Sequence, residues 1–309
     1  MKISICILTY NRKKILVKLL NSLLSLRYEK LEIIVTDNYS KDGTGQYVKK
    51  MYPEVIYYCT NQNIGVAARN IGLRNASGDL LVTIDDDISG LTDTDLNNLA
   101  EYFKLNKSVG ALNFRVIDGL TGEVCNWIHH RKSEEYSNKE FLTYEITEGA
   151  VAFRKNALES VGLYAEYFFI SHEGPDLALR FLNAGYEVKY SDLVSVKHAH
   201  ADAGRKPWYR YYYDTRNQFY LAVRNLPLAY ALHFLMRGSF SILIYSIRDG
   251  YVKYWIKGML DGMIGVKKYK AHRNVLSSAT MNRIRHIDKG RPSVIYMVKA
   301  RLFRKEIRL

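Results

Sequence analysis

The stretch LLVTIDDD (80–87) restricts the folds open to this chain more than any other. Five β-branched or aliphatic residues read as a buried strand, yet the strand runs straight into Asp85, Asp86 and Asp87. Like charges this close resist ionising together unless something positive sits among them. Three further apolar runs resemble buried strands: ISICILTY (3–10), LEIIVTD (31–37) and VIYYCT (55–60). The first is too short for a signal peptide and reads as an opening strand. Between the first two runs, RKKILVKLLNSLLSL places Ile15, Leu16, Leu19, Leu20, Leu23 and Leu24 on one helical face, with Asn11 positioned to cap it. NIGVAARNIGLRNASG is a second helical stretch, with Asn63 as a cap and Gly78 as a stop. Strand, helix, strand in units of roughly 30 residues predicts a parallel sheet covered by helices.

Ligands of such sheets bind beyond the C-terminal strand ends. The polar clusters fall there: Thr9-Tyr10-Asn11-Arg12, then Asp37-Asn38-Tyr39-Ser40, then Asp85-Asp86-Asp87. Taken singly, Asn11 and Asp37-Asn38 also suit caps and turns, the three aspartates a solvated turn, and Arg69 a surface helix. Together, at consecutive strand ends, they predict one site. Gly65 and Arg69 lie four apart on one helical face, and Ala67 and Ala68 leave the backbone accessible.

Charge divides the chain. From Arg205 to Leu309 lie 22 of the 45 Lys/Arg but only 5 of the 31 Asp/Glu. We therefore expect a near-neutral body (1–204) and a basic, aromatic-rich helical extension (205–309) drawn to an anionic partner, a membrane surface or nucleic acid. The apolar run 226–247 holds His233 and Arg237 near its middle, so it reads as an interfacial helix or one packed on the body, not a spanning one. Lys267, Lys268, Lys270, Arg273, Arg283, Arg285 and Arg291 add charge that lipid headgroups attract. The tyrosines of the extension suit a homodimer interface equally well, and a solvated helical cap remains the plainer reading. A nucleic-acid-binding protein is the rival from another class, but no known module is visible and the strand-end carboxylates would repel a phosphate backbone. Three scattered cysteines fit neither a zinc site nor a disulfide framework and suit a reducing compartment.

The ordered set TYNR (9–12), VTDNYSKDGT (35–44), NIGVAARN (63–70), IDDD (84–87) and EGPDLALRFLNAGY (173–186) resembles the family 2 glycosyltransferases. The likeness is greatest to the bacterial rhamnosyltransferase-like members that build cell-surface polysaccharides, and it runs from about Ser4 to about Asn225. It implies an α/β fold of the GT-A type, a Rossmann-like, mostly parallel sheet flanked by helices. It also implies a nucleotide-sugar donor (a UDP- or dTDP-sugar foremost), Mg²⁺ or Mn²⁺, and inversion at the anomeric carbon. The product would be a hexosyl or rhamnosyl group on a glycan or lipid-linked acceptor, made by a cytoplasmic enzyme peripheral to the inner membrane face. A nucleotidyltransferase on a related sheet is a nearer rival, but TYNRKK stands where its Gly/Lys-rich phosphate loop would be.

Carried over residue by residue, the resemblance makes Asp87 the metal ligand and Asp85 the ribose or metal-water partner, and leaves the role of Asp86 open. Asp37 would accept from the base edge of a pyrimidine. Thr9, Tyr10 and Arg12 would wrap the nucleotide, Asn38 and Gly65 would complete the cradle, and Arg69 would reach the nucleotide or diphosphate from its helix. His198 and His200 share one side of the predicted strand EVKYSDLVSV; His198 matches a family position near the metal, or is simply a histidine at a strand end. His129 and His130 are expected to flank the acceptor side. Where many relatives carry two adjacent acids with the second as base, this chain reads His172-Glu173-Gly174-Pro175-Asp176. Asp176 suits a helix start and a pairing with Arg180. Glu173 lacks such a partner in the sequence and is our candidate general base, with Asp176 the alternative.

Overall fold

The structure is a computed structural model that describes residues 1–199, 206–269 and 272–293; His200, Lys270 and the side chain of Lys268 lie outside the described residues. Its first half alternates as the sequence pattern requires. Strands β1 (Ile3–Thr9) and β2 (Leu31–Asp37) are joined through helix α1 (Lys13–Leu24); α2 (Thr44–Met51) leads to β3 (Ile56–Cys59). A 3₁₀ turn (Gly65–Ala68) and α3 (Arg69–Asn75) then lead to β4 (Leu80–Asp85). All four strands pair in parallel. Helix α1 buries Leu16, Leu19, Leu20 and Leu23, each fully buried leucine contributing about 1.5–3 kcal/mol.

Beyond β4 the chain forms β5 (Ile88–Ser89), α4 (Asp93–Leu105), β6 (Val109–Asp118), α5 (Ser133–Tyr136) and β7 (Phe141–Leu142). It continues with β8 (Ala150–Arg154), α6 (Lys155–Val161), α7 (Glu173–Asn183) and β9 (Glu187–His198). The sheet order is β3-β2-β1-β4-β8-β6-β9-β5, with β7 beside β9 and β8 antiparallel to both neighbours. This is the mostly parallel, helix-flanked sheet expected. One core lies between the sheet and α1 and α4; another lies under α3, α6 and α7.

The remaining helices, α8 (Tyr209–Asn225), α9 (Leu228–Arg248), α10 (Val252–Tyr269) and α11 (Ser278–Asp288), build outward from α7. Leu179 and Leu182 of α7 share a third core with Phe219 and Leu221 of α8 and with Met281, Ile284 and Ile287 of α11. So α7 has one apolar face on the sheet side and another on the extension.

Local details differ from the sequence reading for physical reasons. Asn11 does not cap α1: it takes a left-handed backbone (φ 54°) and its side chain accepts the Lys41 N–H at 2.6 Å. The second helical stretch breaks early, because Ala76 turns extended before Gly78, whose missing side chain admits Ser4 of the neighbouring strand. Helix α7 starts at Glu173, two residues before Pro175, with His172 as its left-handed cap.

The joint between body and extension is ionic. Fully buried Asp176 accepts from Arg180 Nε at 3.0 Å and Asn225 Nδ2 at 2.9 Å, and Arg224 Nη1 stands 3.3 Å away. Removing one member of a buried ion network strands the others without compensation. Asp176→Ala should therefore lower the unfolding free energy by about 3–5 kcal/mol in urea denaturation, far more than an exposed Asp→Ala control.

Candidate active site

Strand register gathers the polar clusters. Thr9 lies opposite Asp37 and Leu8 opposite Asp85, so three strand ends meet at one rim. The positive charge that the aspartates require comes first from the protein itself. Arg69, buried at the start of α3, is ion-paired with Asp85. Arg12 Nη1 reaches Asp86 at 2.8 Å and Asp87 at 2.9 Å, and the Thr9 hydroxyl donates to Asp86 at 2.7 Å. Across the rim, His198 Nε2 at the end of β9 stands 3.3 Å from Asp87 Oδ1.

These partners separate the three carboxylates chemically. Burial pushes Asp86 up to about 6, partly offset by Arg12 and Thr9. Asp87 is also raised by burial, but His198 and Arg12 outweigh this and hold it below the usual carboxylate range. Burial would lower His198, yet Asp87 and Cys125 carry it up to about 9. A chain whose protonation states differ this sharply within one rim has a typical functional-site signature.

Among the described residues no three His, Cys, Asp or Glu side chains converge at metal-binding spacing. The donor set nonetheless fits a hard divalent cation that takes its other ligands from water and phosphate. Asp87 Oδ1 is buried and faces His198 Nε2 at 3.3 Å.

The nucleotide candidates divide into exposed and sealed. Tyr10 is 44% exposed, and the Arg12 side chain keeps about a quarter of its surface open. Thr9, expected to wrap the nucleotide, is instead buried with its hydroxyl spent on Asp86. Asp37 is also sealed: its oxygens accept from Ser40 N–H at 2.7 Å and Tyr57 O–H at 2.6 Å. Tyr57 on β3 went unnoticed in the sequence, where it is one of two adjacent tyrosines in an apolar run. Asn38 builds the neighbouring turn, donating to Asn63 Oδ1 (3.0 Å) and Gly65 O (3.1 Å) and accepting from Ile64 N–H (2.9 Å).

Gly65 (φ +68°) is the position where only glycine fits, because a Cβ would run into the Phe169 carbonyl. That carbonyl also accepts the Val66 N–H at 2.8 Å, stitching the turn to the loop before α7. In this loop Phe169, Ser171 and His172 all have positive φ, a strained arrangement that surrounding structure must enforce. Asn217 of α8 enforces it: its buried amide donates to the carbonyls of Phe168 (3.1 Å), Ile170 (2.7 Å) and Ser171 (2.8 Å). Sequence reasoning had no signal for Asn217, which sits mid-helix in the extension.

The loop delivers Glu173, 3% exposed, to the first turn of α7. A Cβ on Gly174 would collide with the Glu148 carboxylate, so glycine at this position makes room for an acid from another loop. Glu148 was missed in the sequence, where TEG reads as an ordinary turn. Its neighbour Gly149 lies against Asp85, and Thr83 Oγ1 donates to the Glu148 carbonyl at 2.7 Å. Asp176, the alternative base, points instead into the ionic joint with α8.

His129 is buried among Trp127, Phe141 and Tyr190 and hydrogen-bonds Thr143 Oγ1 at 3.2 Å. His130 pairs with Glu145 at 2.8 Å. Burial, then the adjacent His130, pushes His129 down to about 3. Between about 6.5 and about 3 the unfolded chain would bind a proton there that the folded one refuses, so this contribution is complete above about 6.5 and is lost as pH falls. In His129→Leu the decline of the urea midpoint on acidification should be visibly shallower than in the parent.

Comparison with known proteins gives the following. The model of the Glycosyl transferase family 2 domain matches residues 4–162. The uncharacterized glycosyltransferase YfnE of Bacillus subtilis is 33% identical over 147 residues, 45% of this chain; the match spans only 35% of that relative's length. The GalNAc(5)-diNAcBac-PP-undecaprenol beta-1,3-glucosyltransferase of Campylobacter jejuni is 28% identical over 176 residues, 54% of this chain and 56% of the relative. In structure, Staphylococcus aureus TarS 1–349 in complex with UDP-GlcNAc aligns at TM-score 0.61 and 19% identity, covering 93% of this chain and 88% of TarS. The mannosyltransferase PcManGT of Pyrobaculum calidifontis, solved with GDP-Man and Mn²⁺, aligns at TM-score 0.54 and 16% identity, covering 99% and 88% of the two chains. The fold is that of the GT-A glycosyltransferases.

Proposed function

The chain belongs to glycosyl transferase family 2, and from that premise we propose that it moves a sugar from a UDP- or dTDP-sugar to a hydroxyl of a glycan or lipid-linked acceptor, with inversion, in cell-surface polysaccharide synthesis. The observation that carries this reading is the rim itself: three carboxylates at the end of β4, held by Arg12, Arg69 and His198, beside the buried Glu173. Residues 1–204 would form the donor-binding and catalytic part, and 205–309 the extension. The undecaprenol-linked substrate in the name of the Campylobacter relative supports a lipid-linked acceptor and a place at the inner membrane face.

Each residue has a task in a single displacement. Tyr10 offers an exposed ring to the base, and Asp85 would accept from the ribose. Asp37 shapes the base pocket through Tyr57 and the Ser40 turn. Arg12 can exchange its carboxylate partners for diphosphate oxygens, which its planar fork also suits, and Arg69 holds Asp85 in place. Asp87 and His198 would hold Mg²⁺ or Mn²⁺, which when bound neutralises charge on the leaving diphosphate; Mn²⁺ accompanies the donor in PcManGT. Glu173 takes the proton of the acceptor hydroxyl as its oxygen bonds to the anomeric carbon, and the bond to the diphosphate breaks on the opposite side. Asp176 is bound to two arginines and an asparagine, which favours Glu173 over it as base.

Glu173→Gln should lower the turnover of donor consumption by about 10²–10⁴-fold while nucleotide affinity stays within a few-fold. Asp87→Asn should abolish the response to added Mn²⁺ or Mg²⁺. Full turnover in Glu173→Gln would refute its assignment as base, and undiminished metal response in Asp87→Asn would refute the metal assignment.

A further inference from the structure

Helices α9 and α10 carry large apolar residues on their outer face as well as on their inner one. On α9 the buried residues are small, Ala231, Ser239 and Ser246, and a Cβ on Gly238 would collide with Gln218 of α8. Helix α10 repeats this, with Gly258, Gly262 and Gly265 set directly against α8 around Thr215, Phe219 and Tyr220. Some large apolar residues pack inward (Phe234 and Leu235 of α9, Met259 and Val266 of α10), but a second set points the other way. Leu228, Leu232, Met236, Phe240, Ile244 and Ile247 recur almost every fourth residue along α9, each between 46% and 71% exposed. On α10, Ile256, Leu260, Met263 and Ile264 are at least 48% exposed. An apolar stripe about 30 Å long is larger than soluble monomers ordinarily leave open and marks an interaction surface.

Charge identifies the partner. Residues 228–269 contain six Lys/Arg and two Asp/Glu. Both acids are already neutralised: Asp249 by Arg248 at 2.7 Å, and Asp261 by Lys257 at 2.8 Å together with the Tyr212 hydroxyl at 2.7 Å. Arg237, Lys253 and Lys267 are exposed beside the stripe, and no carboxylate among the described residues pairs with them. A second copy of this face would oppose cation to cation, whereas an anionic lipid surface satisfies both the apolar stripe and its basic margin. By length and composition α9 could cross a bilayer, but it is packed lengthwise on α8, its Ser239 carbonyl accepts the Trp255 indole N–H of α10 at 3.0 Å, and Arg237 interrupts its outer face.

We propose that the outer face of α9 and α10 is a docking surface for an anionic bilayer, in which both helices lie flat in the headgroup interface without spanning it. This deepens the reading of the protein as a membrane-peripheral enzyme and does not depend on the donor chemistry. Flotation of the full chain with vesicles of equal parts phosphatidylglycerol and phosphatidylcholine, without nucleotide, tests it. The parent should float with these vesicles, much less with phosphatidylcholine alone. Met236→Glu/Phe240→Glu should weaken binding at least tenfold, and Arg237→Gln/Lys253→Gln about thirtyfold, with unchanged melting temperature and donor hydrolysis, because these side chains touch neither the core nor the rim. Absence of flotation by the parent, or parent-like flotation by both double variants, would overturn the proposal. So would a stable dimer that Met236→Glu/Phe240→Glu splits while vesicles bind nothing, which assigns the face to self-association. Normal flotation with no donor hydrolysis in any protein would count against the catalytic reading alone.

Discussion

Three adjacent carboxylates at the end of a buried strand cannot all ionise unaided, and everything around the rim follows from how their charge is met. Arg12 spans Asp86 and Asp87 from the end of β1, while Arg69 meets Asp85 from the start of α3. The result is a cluster with three distinct chemistries: Asp85 partly open and paired, Asp86 sealed and drawn toward neutrality, Asp87 firmly ionised with one buried oxygen turned to His198. Cations that can trade a carboxylate for a phosphate are what a diphosphate site needs in its resting state. Keeping them in place beforehand lowers the reorganisation required when the donor arrives.

The helical extension also takes part in shaping this rim. Asn217 on α8 fixes the strained loop of Phe169, Ser171 and His172, the same loop braces the Gly65 turn, and its end sets Glu173. Asp176, Arg180, Arg224 and Asn225 then weld α7 to α8. The inner layer of the extension thereby ties the Gly65 turn and the candidate base together, while α9 and α10 form its outer layer. One polypeptide arm so connects the place where an acceptor would be presented to the place where it would react.

Much of this was legible in the sequence because it depends on local periodicity. The parallel strands, the leucine face of α1, and the clustering of Thr9, Asp37 and Asp85 follow from alternation and from where polar residues interrupt apolar runs. What stayed hidden depends on tertiary contact. Asp176 reads in the sequence as a helix-start residue paired with Arg180 and only second as a base; that Arg224 and Asn225, about fifty positions on, also claim it is visible only in space. Gly174 looked like a lost acid; in space it is the clearance that Glu148 occupies. The resemblance implies a metal among the aspartates, whereas the charge that Arg12 supplies from more than seventy residues away is visible only in space. The apolar run at 226–247 is evident in the sequence, but which side it shows depends on its packing against α8.

The central claim is that this rim is a nucleotide-sugar site whose own cations prepare it for a diphosphate. Equilibrium titration of the purified protein with UDP-, dTDP- and GDP-sugars, in Mn²⁺ and again in EDTA, addresses it most directly. The account predicts saturable binding of a UDP- or dTDP-sugar that tightens with Mn²⁺ and is lost in Arg12→Ala. No binding of any nucleotide sugar under either condition, or binding indifferent to both Mn²⁺ and Arg12, would contradict it.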